Sequence, residues 1–256
     1  MELKKFNVNG VKFNMVYVEG GTFNMGTTIE QDKDARSDES PIHEVTLSDY
    51  YIGETAVTQE LWKAVMNTTI LQLAAADDLD EDELGCIGEN FPMYYLTWYN
   101  CQDFIKKLNK ITGENFRLPT EAEWEFAAKG GNKSKGYKYS GSNDLKEVAW
   151  YERNAFIGKY YESFCPIKHK KPNELGIYDM SGSVWEWCQD WYNENYYSYS
   201  PKVNPTGPLD GVDRVCRGGD WGDEYRLLRC TCRNVNAPDY TDSLSINGFR
   251  LVLNIN

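Results

Sequence analysis

Hydrophobic and polar residues alternate in several short segments, which is the pattern of half-buried β-strands. Residues 14–26 alternate on both sides of the glycine pair at 20–21, and this predicts a hairpin. Residues 43–52 alternate again and predict one further strand. Residues 214–221 predict a buried strand that enters a Gly-Gly turn, and residues 247–253 predict a closing strand.

Helical spacing of apolar residues follows three threonines that can act as N-caps, Thr58, Thr97 and Thr120. Residues 91–98, before the second helix, form a strand-like run, and Gly113 is placed to end that helix. Thr120 opens a Thr-x-x-Glu capping box, so we interpret the glutamates after it as helix-terminus groups. The predicted inward positions of the three helices are Leu61, Trp62, Val65, Cys101, Phe104, Ile105, Leu108, Trp124, Ala127 and Ala128.

Residues 176–191 concentrate three tryptophans beside glycines and acids, and we predict that this segment is the structural centre. Alternation from Val184 to Trp187 predicts a short strand, and Gly182 allows the turn into it. Aromatic rings bury roughly 150–250 Å² each, so a few of them can hold a loop-rich fold together. With 14% aromatic residues and 21 glycines, the chain is predicted to be one α+β domain over residues 1–256, with little helix and an acidic insertion at about 68–90.

The formal net charge of −12 argues against nucleic acid as a partner, because phosphate contacts need clustered Lys and Arg. No apolar run approaches the ~20 residues of a membrane span, and residues 1–10 lack the apolar stretch of a secretion signal. We therefore expect no membrane insertion, and a cytoplasmic or phage-associated protein unless a leader has been trimmed.

The seven cysteines have irregular spacing, which favours buried free thiols in a reducing compartment. Cys230 and Cys232, separated by Thr231, leave open a soft-metal site or a strained bridge. With only two histidines, in unrelated segments, a zinc site has little support.

Five sequence motifs, taken in order, resemble those of the formylglycine-generating enzyme (sulfatase-modifying factor) family over about residues 14–253. The resemblance implies an irregular α+β architecture of the C-type-lectin type, with low regular secondary structure. The motifs are Gly20-Gly-Thr-Phe-Asn-Met-Gly26, Arg117-Leu-Pro-Thr-Glu-Ala-Glu-Trp-Glu125, Gly176-Ile-Tyr-Asp-Met-Ser-Gly-Ser-Val-Trp-Glu-Trp187, Arg217-Gly-Gly-Asp-Trp221 and Gly248-Phe-Arg250.

The catalytic members of this family carry a cysteine pair shortly after an Arg-Gly-Gly-Ser-Trp/Tyr motif, and the pair binds copper and activates oxygen. Residues 219–229 occupy that place here and contain no thiol. Since soft metals prefer thiolate ligands, we expect the oxidase reaction to be absent. The alternative is a copper-dependent oxidase that converts a sulfatase cysteine to formylglycine, or a related oxidase, with Cys230 and Cys232 as the catalytic pair.

The resemblance also implies calcium near the tryptophan motif. Carried over by position, Ser183, the Val184 carbonyl and Glu186 would be ligands of one site, and Asn154 with the Ala155 carbonyl would contribute to another. The family usually has asparagine where this chain has Ser183, and a hydroxyl is the weaker ligand, so we expect reduced affinity. The alternative is that Glu186 accepts hydrogen bonds from backbone amides.

Residues 222–246 contain no Lys, Gln or Met and a single Glu, whereas Asp, Asn, Tyr, Ser, Thr, Cys and Arg dominate. That composition suits an exposed recognition surface. The C-terminal part is similar to the variable proteins of diversity-generating retroelements, in which a segment before a closing Gly-Phe-Arg is diversified at adenines of a template.

This second resemblance implies a non-catalytic binding protein for a protein or cell-surface glycan, with a variable region at 220–247. The alternative is a family member with an ordinary surface. The predicted ligand contacts are Asp223, Tyr225, Leu227, Thr231, Asn234, Val235, Asn236, Asp239, Tyr240 and Ser243. The predicted buried frame beneath them is Trp221, Arg229, Arg233, Phe249 and Arg250.

Overall fold

A computed structural model describes residues 2–29, 31–157, 162–163, 165–241 and 246–255. The strands are β1 Leu3–Val8, β2 Val11–Val18, β3 Gly21–Met25, β4 His43–Leu47, β5 Tyr50–Gly53, β6 Phe116–Arg117, β7 Phe156–Ile157, β8 Glu162–Ser163, β9 Trp185–Trp191, β10 Arg214–Arg217, β11 Arg233–Asn236, β12 Asn247–Gly248 and β13 Val252–Asn254. The helices are α1 Gln59–Met66, α2 Ile70–Ala76, α3 Trp98–Thr112, α4 Glu121–Ala128 and α5 Leu145–Val148.

Two main sheets organise the fold. The first has five strands in the order β1-β2-β5-β13-β6, all antiparallel to their neighbours. The second has four strands in the order β11-β10-β9-β12, with β12 parallel to β9. Two-stranded pairs, β3 with β4 and β7 with β8, complete the strands. The mixture of short strands, helices and long connections confirms the predicted α+β class.

Strand β9 lies in the second sheet and reaches both main hydrophobic clusters. Trp185 and Trp187 pack in the cluster around α3, whereas Cys188 packs in the cluster around α4. The indole of Trp187 is fully buried and its Nε1 donates to the Leu96 carbonyl at 2.8 Å. Gly182 precedes the strand with a φ of +77°, a conformation that favours glycine. The predicted structural centre therefore holds the core from both sides.

The predicted hairpin across residues 20–21 is wrong. Strand β2 pairs with β1 and β5, whereas β3 pairs with β4, so the chain passes from one sheet to another at the glycine pair. A Cβ on Gly20 would lie 2.4 Å from the Leu47 carbonyl oxygen. The glycine is therefore needed for close backbone approach and not for a hairpin turn.

Two other predicted strands are each two strands in the structure, and a third is not a strand. Residues 43–52 form β4 and β5, which separate at residues 48–49, and residues 247–253 form β12 and β13 in different sheets. Residues 91–98 contain no strand, because Tyr95 has a φ of +61°, which interrupts an extended backbone. The run instead makes isolated hydrogen bonds to other segments, such as the one from the Met93 amide to the Val57 carbonyl. Period-two alternation alone does not show where a strand changes its partner.

The helix predictions hold. Thr58, Thr97 and Thr120 cap α1, α3 and α4 with their side-chain oxygens. Gly113 ends α3 with a φ of +74°. All ten predicted inward positions of the three helices are buried.

The cysteine prediction is wrong for one pair. Cys86 and Cys165 form a disulfide, with their Cα atoms 5.9 Å apart. Five cysteines are free and buried. Within the described residues, no helix is long and apolar enough to cross a membrane.

Candidate functional site

The C-terminal segment, defined here as residues 219–241, has little regular structure and rests on a buried ionic network. Residues 219–232 contain no strand or helix and lead into β11, an outer strand of the second sheet. Four arginines with at most 1% exposure pair with four buried glutamates, and two of these arginines, Arg229 and Arg233, belong to the segment itself. The network has three separate groups of ion pairs, which are Arg217 and Arg233 with Glu121 and Glu125, Arg229 with Glu39, and Arg250 with Glu186.

Helix α4 supplies two of these glutamates from one face. Glu121 and Glu125 are four residues apart, so their side chains point the same way, toward β10 and β11. Arg217 on β10 contacts both carboxylates, and Arg233 on β11 pairs with Glu121 through bonds of 2.7 and 3.0 Å. Their interpretation as helix-terminus groups is therefore incomplete, because the helix uses them to hold the second sheet.

Arg217 also fixes the backbone of the segment. Its Nη2 donates to the Cys230 carbonyl at 2.8 Å, and its Nη1 donates to the Thr231 carbonyl at 3.3 Å. An irregular segment has backbone groups that no ladder satisfies, and a buried carbonyl without a partner costs free energy. The Arg217 guanidinium thus supplies the hydrogen-bond donors that a neighbouring strand would supply in a regular sheet.

Arg229 works in the same way from within the segment. Its Nε donates to the Arg226 carbonyl at 2.8 Å, and its two terminal nitrogens bind Glu39 in a bidentate pair at 2.6 Å each. The segment is therefore tied to residues 37–39 as well as to α4. Trp221, Arg229, Arg233, Phe249 and Arg250 are all buried, as the sequence predicted for the frame.

The predicted contact residues lie largely on the outer side of this frame. Tyr225 and Tyr240 are 37% and 39% exposed, and Asp239 is exposed. Thr231 and the β11 residues Asn234, Val235 and Asn236 are half-buried. Asn234 pairs in register with Cys216, and Asn236 with Arg214, so the strand presents successive side chains at a defined spacing.

Four of the predicted contacts have inward roles, and for two of them the partner is a buried side chain: Asn236 Nδ2 donates to Cys216 Sγ at 3.9 Å, and the Thr231 hydroxyl accepts from Arg229 Nη1 at 3.1 Å. The Asp223 carboxylate accepts from the Asp220 amide at 2.9 Å, and burial raises its pKa. Leu227 packs against two of the hydrophobic clusters. The Asp223 and Leu227 side chains are half-buried, so they support the segment from within. Ser243 lies outside the described residues.

Cys230 and Cys232 do not form a thiol pair. Cys230 lies in the cluster around α4 with its Sγ 3.6 Å from the Ala128 carbonyl, whereas Cys232 lies in the cluster around α3. Burial raises the pKa of Cys230 to about 12 and that of Cys232 to about 11. Copper ligation needs accessible thiolates on a shared centre, and these two residues do not fit that requirement.

The residues suggested for calcium are tied into other contacts. Glu186 accepts from Arg250 through both of its oxygens and from the Trp124 indole, each at 2.6 Å. A calcium ion at Glu186 would have to compete with a buried guanidinium, so this donor set fits the ion poorly. The donors to Glu186 are side chains, whereas the alternative considered from the sequence was backbone amides.

The other suggested calcium ligands lie in turns. Ser183 has a φ of +73°, its amide donates to the Trp150 carbonyl and its carbonyl accepts from the Trp221 amide. Val184 is buried. Asn154 accepts from the Tyr151 amide and donates to the Ala149 carbonyl, both at 2.9 Å. Calcium at these positions stays a prediction.

Sequence reasoning missed the role of Glu39, Glu121 and Glu125 in the frame. A usable signal was present for two of them, since glutamates at i and i+4 in a helix with an apolar face imply buried partners. Glu39 had no such signal, because it belongs to a short turn far from Arg229 in sequence.

Comparison of the sequence with known proteins identifies the family of the chain. The domain family described as "Sulfatase-modifying factor enzyme 1-like domain" matches residues 2–255. The chain belongs to this family. It is 30% identical to the formylglycine-generating enzyme of Streptomyces coelicolor, over 88% of this chain and 84% of that protein. It is 33% identical to the chaperone protein LppX of Paenibacillus barcinonensis, over 82% of this chain and 79% of that protein.

Solved structures agree with this family fold. The Treponema denticola variable protein 1 matches with a TM-score of 0.81 and 30% identity, covering 99% of both chains. PvdO from Pseudomonas aeruginosa matches with a TM-score of 0.76 and 24% identity, which shows a shared fold alone. Both predicted resemblances, to the formylglycine-generating enzymes and to variable proteins, are confirmed as similarities.

Proposed function

We propose that this protein is a non-catalytic binding protein whose contact surface is the outer side of the C-terminal segment. The observation that carries the proposal is the division within that segment. Buried guanidinium groups bind its backbone carbonyls, while Tyr225, Asp239 and Tyr240 remain exposed. Outer side chains can therefore vary without removing the contacts that hold the backbone.

The composition of the outer side supports binding. Tyrosine offers a large contact area at a low entropic cost, and asparagine offers adaptable hydrogen bonds. Tyr225, Tyr240 and Asn234 supply both types. The partner would be a protein or a cell-surface glycan, and similarity to a chaperone and to a variable protein favours binding over turnover.

The finer version of the proposal is that the segment is diversified by a retroelement. Sequencing the DNA around the gene tests it. We expect a near-identical repeat of the segment's coding sequence that differs at adenines, beside a reverse transcriptase gene. A locus without such a repeat would contradict diversification.

A second candidate function is the formylglycine-type oxidase, favoured by 30% identity to the Streptomyces coelicolor enzyme. It requires turnover at Cys230 and Cys232, which are buried in separate clusters. This candidate predicts oxidation of a peptide cysteine in a Cys-x-Pro-x-Arg sequence, whereas our proposal predicts none.

A further inference from the structure

A large cleft adjoins the C-terminal segment. Its volume is about 580 Å³, compared with 320 Å³ for a second cleft beside Arg117. Small-molecule sites typically have volumes of roughly 300–1,000 Å³. The lining residues come from residues 24–27, 31–42 and 129–143, and Cys230 and Thr231 of the C-terminal segment also line the cleft. The cleft is therefore large enough for a ligand and continuous with the proposed contact surface.

The walls are fixed to the frame. The Cys230 amide donates to the Lys138 carbonyl at 3.0 Å, and the Lys138 amide donates to Asn143 Oδ1 at 2.8 Å. The opposite wall is held by Asp32, whose Oδ1 accepts from Lys138 Nζ at 3.1 Å and whose Oδ2 lies 3.8 Å from Arg229. A cleft with walls that are already positioned loses little conformational entropy when it binds a ligand.

Two of the three lysines that line the cleft, Lys129 and Lys138, are paired internally, whereas Lys33 is exposed to solvent. Lys129 Nζ contacts Glu125 at 2.7 Å and also donates to the carbonyls of Asn24 and Gly26. Lys138 Nζ contacts Asp32 and Asp34. The Lys138 ammonium, and to a smaller extent Lys33, lower the pKa of Asp34. A charged ligand that contacted Lys129 or Lys138 would have to compete with these pairs, so the part of the cleft around these two lysines favours an uncharged ligand.

The remaining polar groups suit hydroxyls. Asn24, Gln31 and Asn143 line the cleft with amide side chains, of which Gln31 Oε1 accepts from Thr27 Oγ1 and Asn143 Oδ1 accepts from the Lys138 amide. Amides both donate and accept hydrogen bonds, as do the hydroxyls of a ligand. Tyr137 adds a half-buried ring on which the apolar face of a ligand can stack.

We infer that this cleft binds a neutral oligosaccharide, with Tyr137 as the stacking platform and Asn24, Gln31 and Asn143 as hydrogen-bonding groups. The inference rests on the proposed binding function and names its ligand class. Tyr225, whose ring centroid lies 5.9 Å from Lys138 Nζ, would contact the part of the glycan that leaves the cleft toward the C-terminal segment.

The test is titration of the full chain with maltotriose, mannotriose and chitotriose, followed by calorimetry or by chemical-shift changes. We expect saturable binding of at least one of these neutral sugars. Tyr137→Ala should weaken it about tenfold, as expected for loss of a stacked ring, and Tyr137→Phe should retain it. The matched control is Tyr199→Ala, which removes a 57% exposed tyrosine from another loop and should leave binding unchanged.

Three results would overturn the inference. They are no binding of any neutral trisaccharide, binding only of acidic probes such as sialyllactose, and undiminished binding in a Tyr137→Ala protein that unfolds at the wild-type temperature. The DNA repeat tests the retroelement version of the proposed function independently. A repeat at the locus together with one of these results would therefore reject the cleft assignment and leave a binding protein with a protein partner.

Discussion

The inner and outer sides of the C-terminal segment differ in how their residues are used. On the inner side, Arg217 and Arg229 each contact a fully buried carboxylate and at least one backbone carbonyl. On the outer side, Tyr225 and Tyr240 are more than one-third exposed. The comparison teaches that buried, ion-paired residues and exposed residues can be neighbours in one loop, so the exposed ones can change without loss of the buried contacts.

The largest expected loss of stability is in the core that supports the inner side. Trp187→Ala should lower the free energy of unfolding by about 3–5 kcal/mol, because it removes a fully buried ring and its hydrogen bond to Leu96. Denaturant unfolding followed by circular dichroism measures the change. An unaltered midpoint would mean that the core lies elsewhere.

The frame itself is tested by Glu121→Gln, which neutralises the carboxylate shared by Arg217 and Arg233. Breaking a buried ion pair leaves a guanidinium uncompensated, and we expect a loss of about 3 kcal/mol in the same unfolding assay. Glu224→Gln is the matched control, because its pair with Arg226 is exposed and should contribute no measurable stability. Equal effects of the two substitutions would remove the distinction between inner and outer sides.

The dependence of stability on pH tests the buried side of the segment at Asp220, near its start. Burial, and then the neighbouring Asp223, raise the pKa of Asp220 above its ordinary value. The folded state therefore holds a proton that the unfolded state has lost, so stability should fall as the pH rises above about 4. Asp220→Asn, which can still accept from the Gly222 amide, should raise the Tm at pH 8 by a few degrees and change it little at pH 4. A gain confined to pH 4 would reverse the assigned sign.

The smallest stability effects should come from the outer side. Tyr240→Ala and Asp239→Ala should each change the free energy of unfolding by less than about 0.5 kcal/mol, since exposed side chains rarely contribute more. Thermal unfolding of the single variants measures this. A loss comparable to that of Glu121→Gln would show that these residues belong to the frame.

The sequence predicted the helices and the central tryptophans well, because capping and ring burial are local or composition-based signals. Thr58, Thr97 and Thr120 are each read from a few neighbouring residues. The second sheet was harder, because β9 and β12 are joined in register by residues far apart in the chain. No local pattern encodes that pairing.

The site was predictable in part for the same reason. The family resemblance indicated the buried frame, and the composition of residues 222–246 indicated an outer surface. The partnership of Arg229 with Glu39 joins residues 190 positions apart, and the cleft brings residues 24–27 and 31–42 together with residues 129–143. Such sites depend on tertiary packing and could not be read from alternation or spacing.

The central claim is that the chain retains the family scaffold without the oxidase reaction. Its most direct test is incubation of the full chain with copper, oxygen and a Cys-x-Pro-x-Arg peptide, followed by mass spectrometry of the peptide. We predict an unchanged peptide mass for the wild type and for Cys232→Ser. Conversion of the peptide cysteine to formylglycine by the wild type, and its loss in Cys232→Ser, would contradict the account.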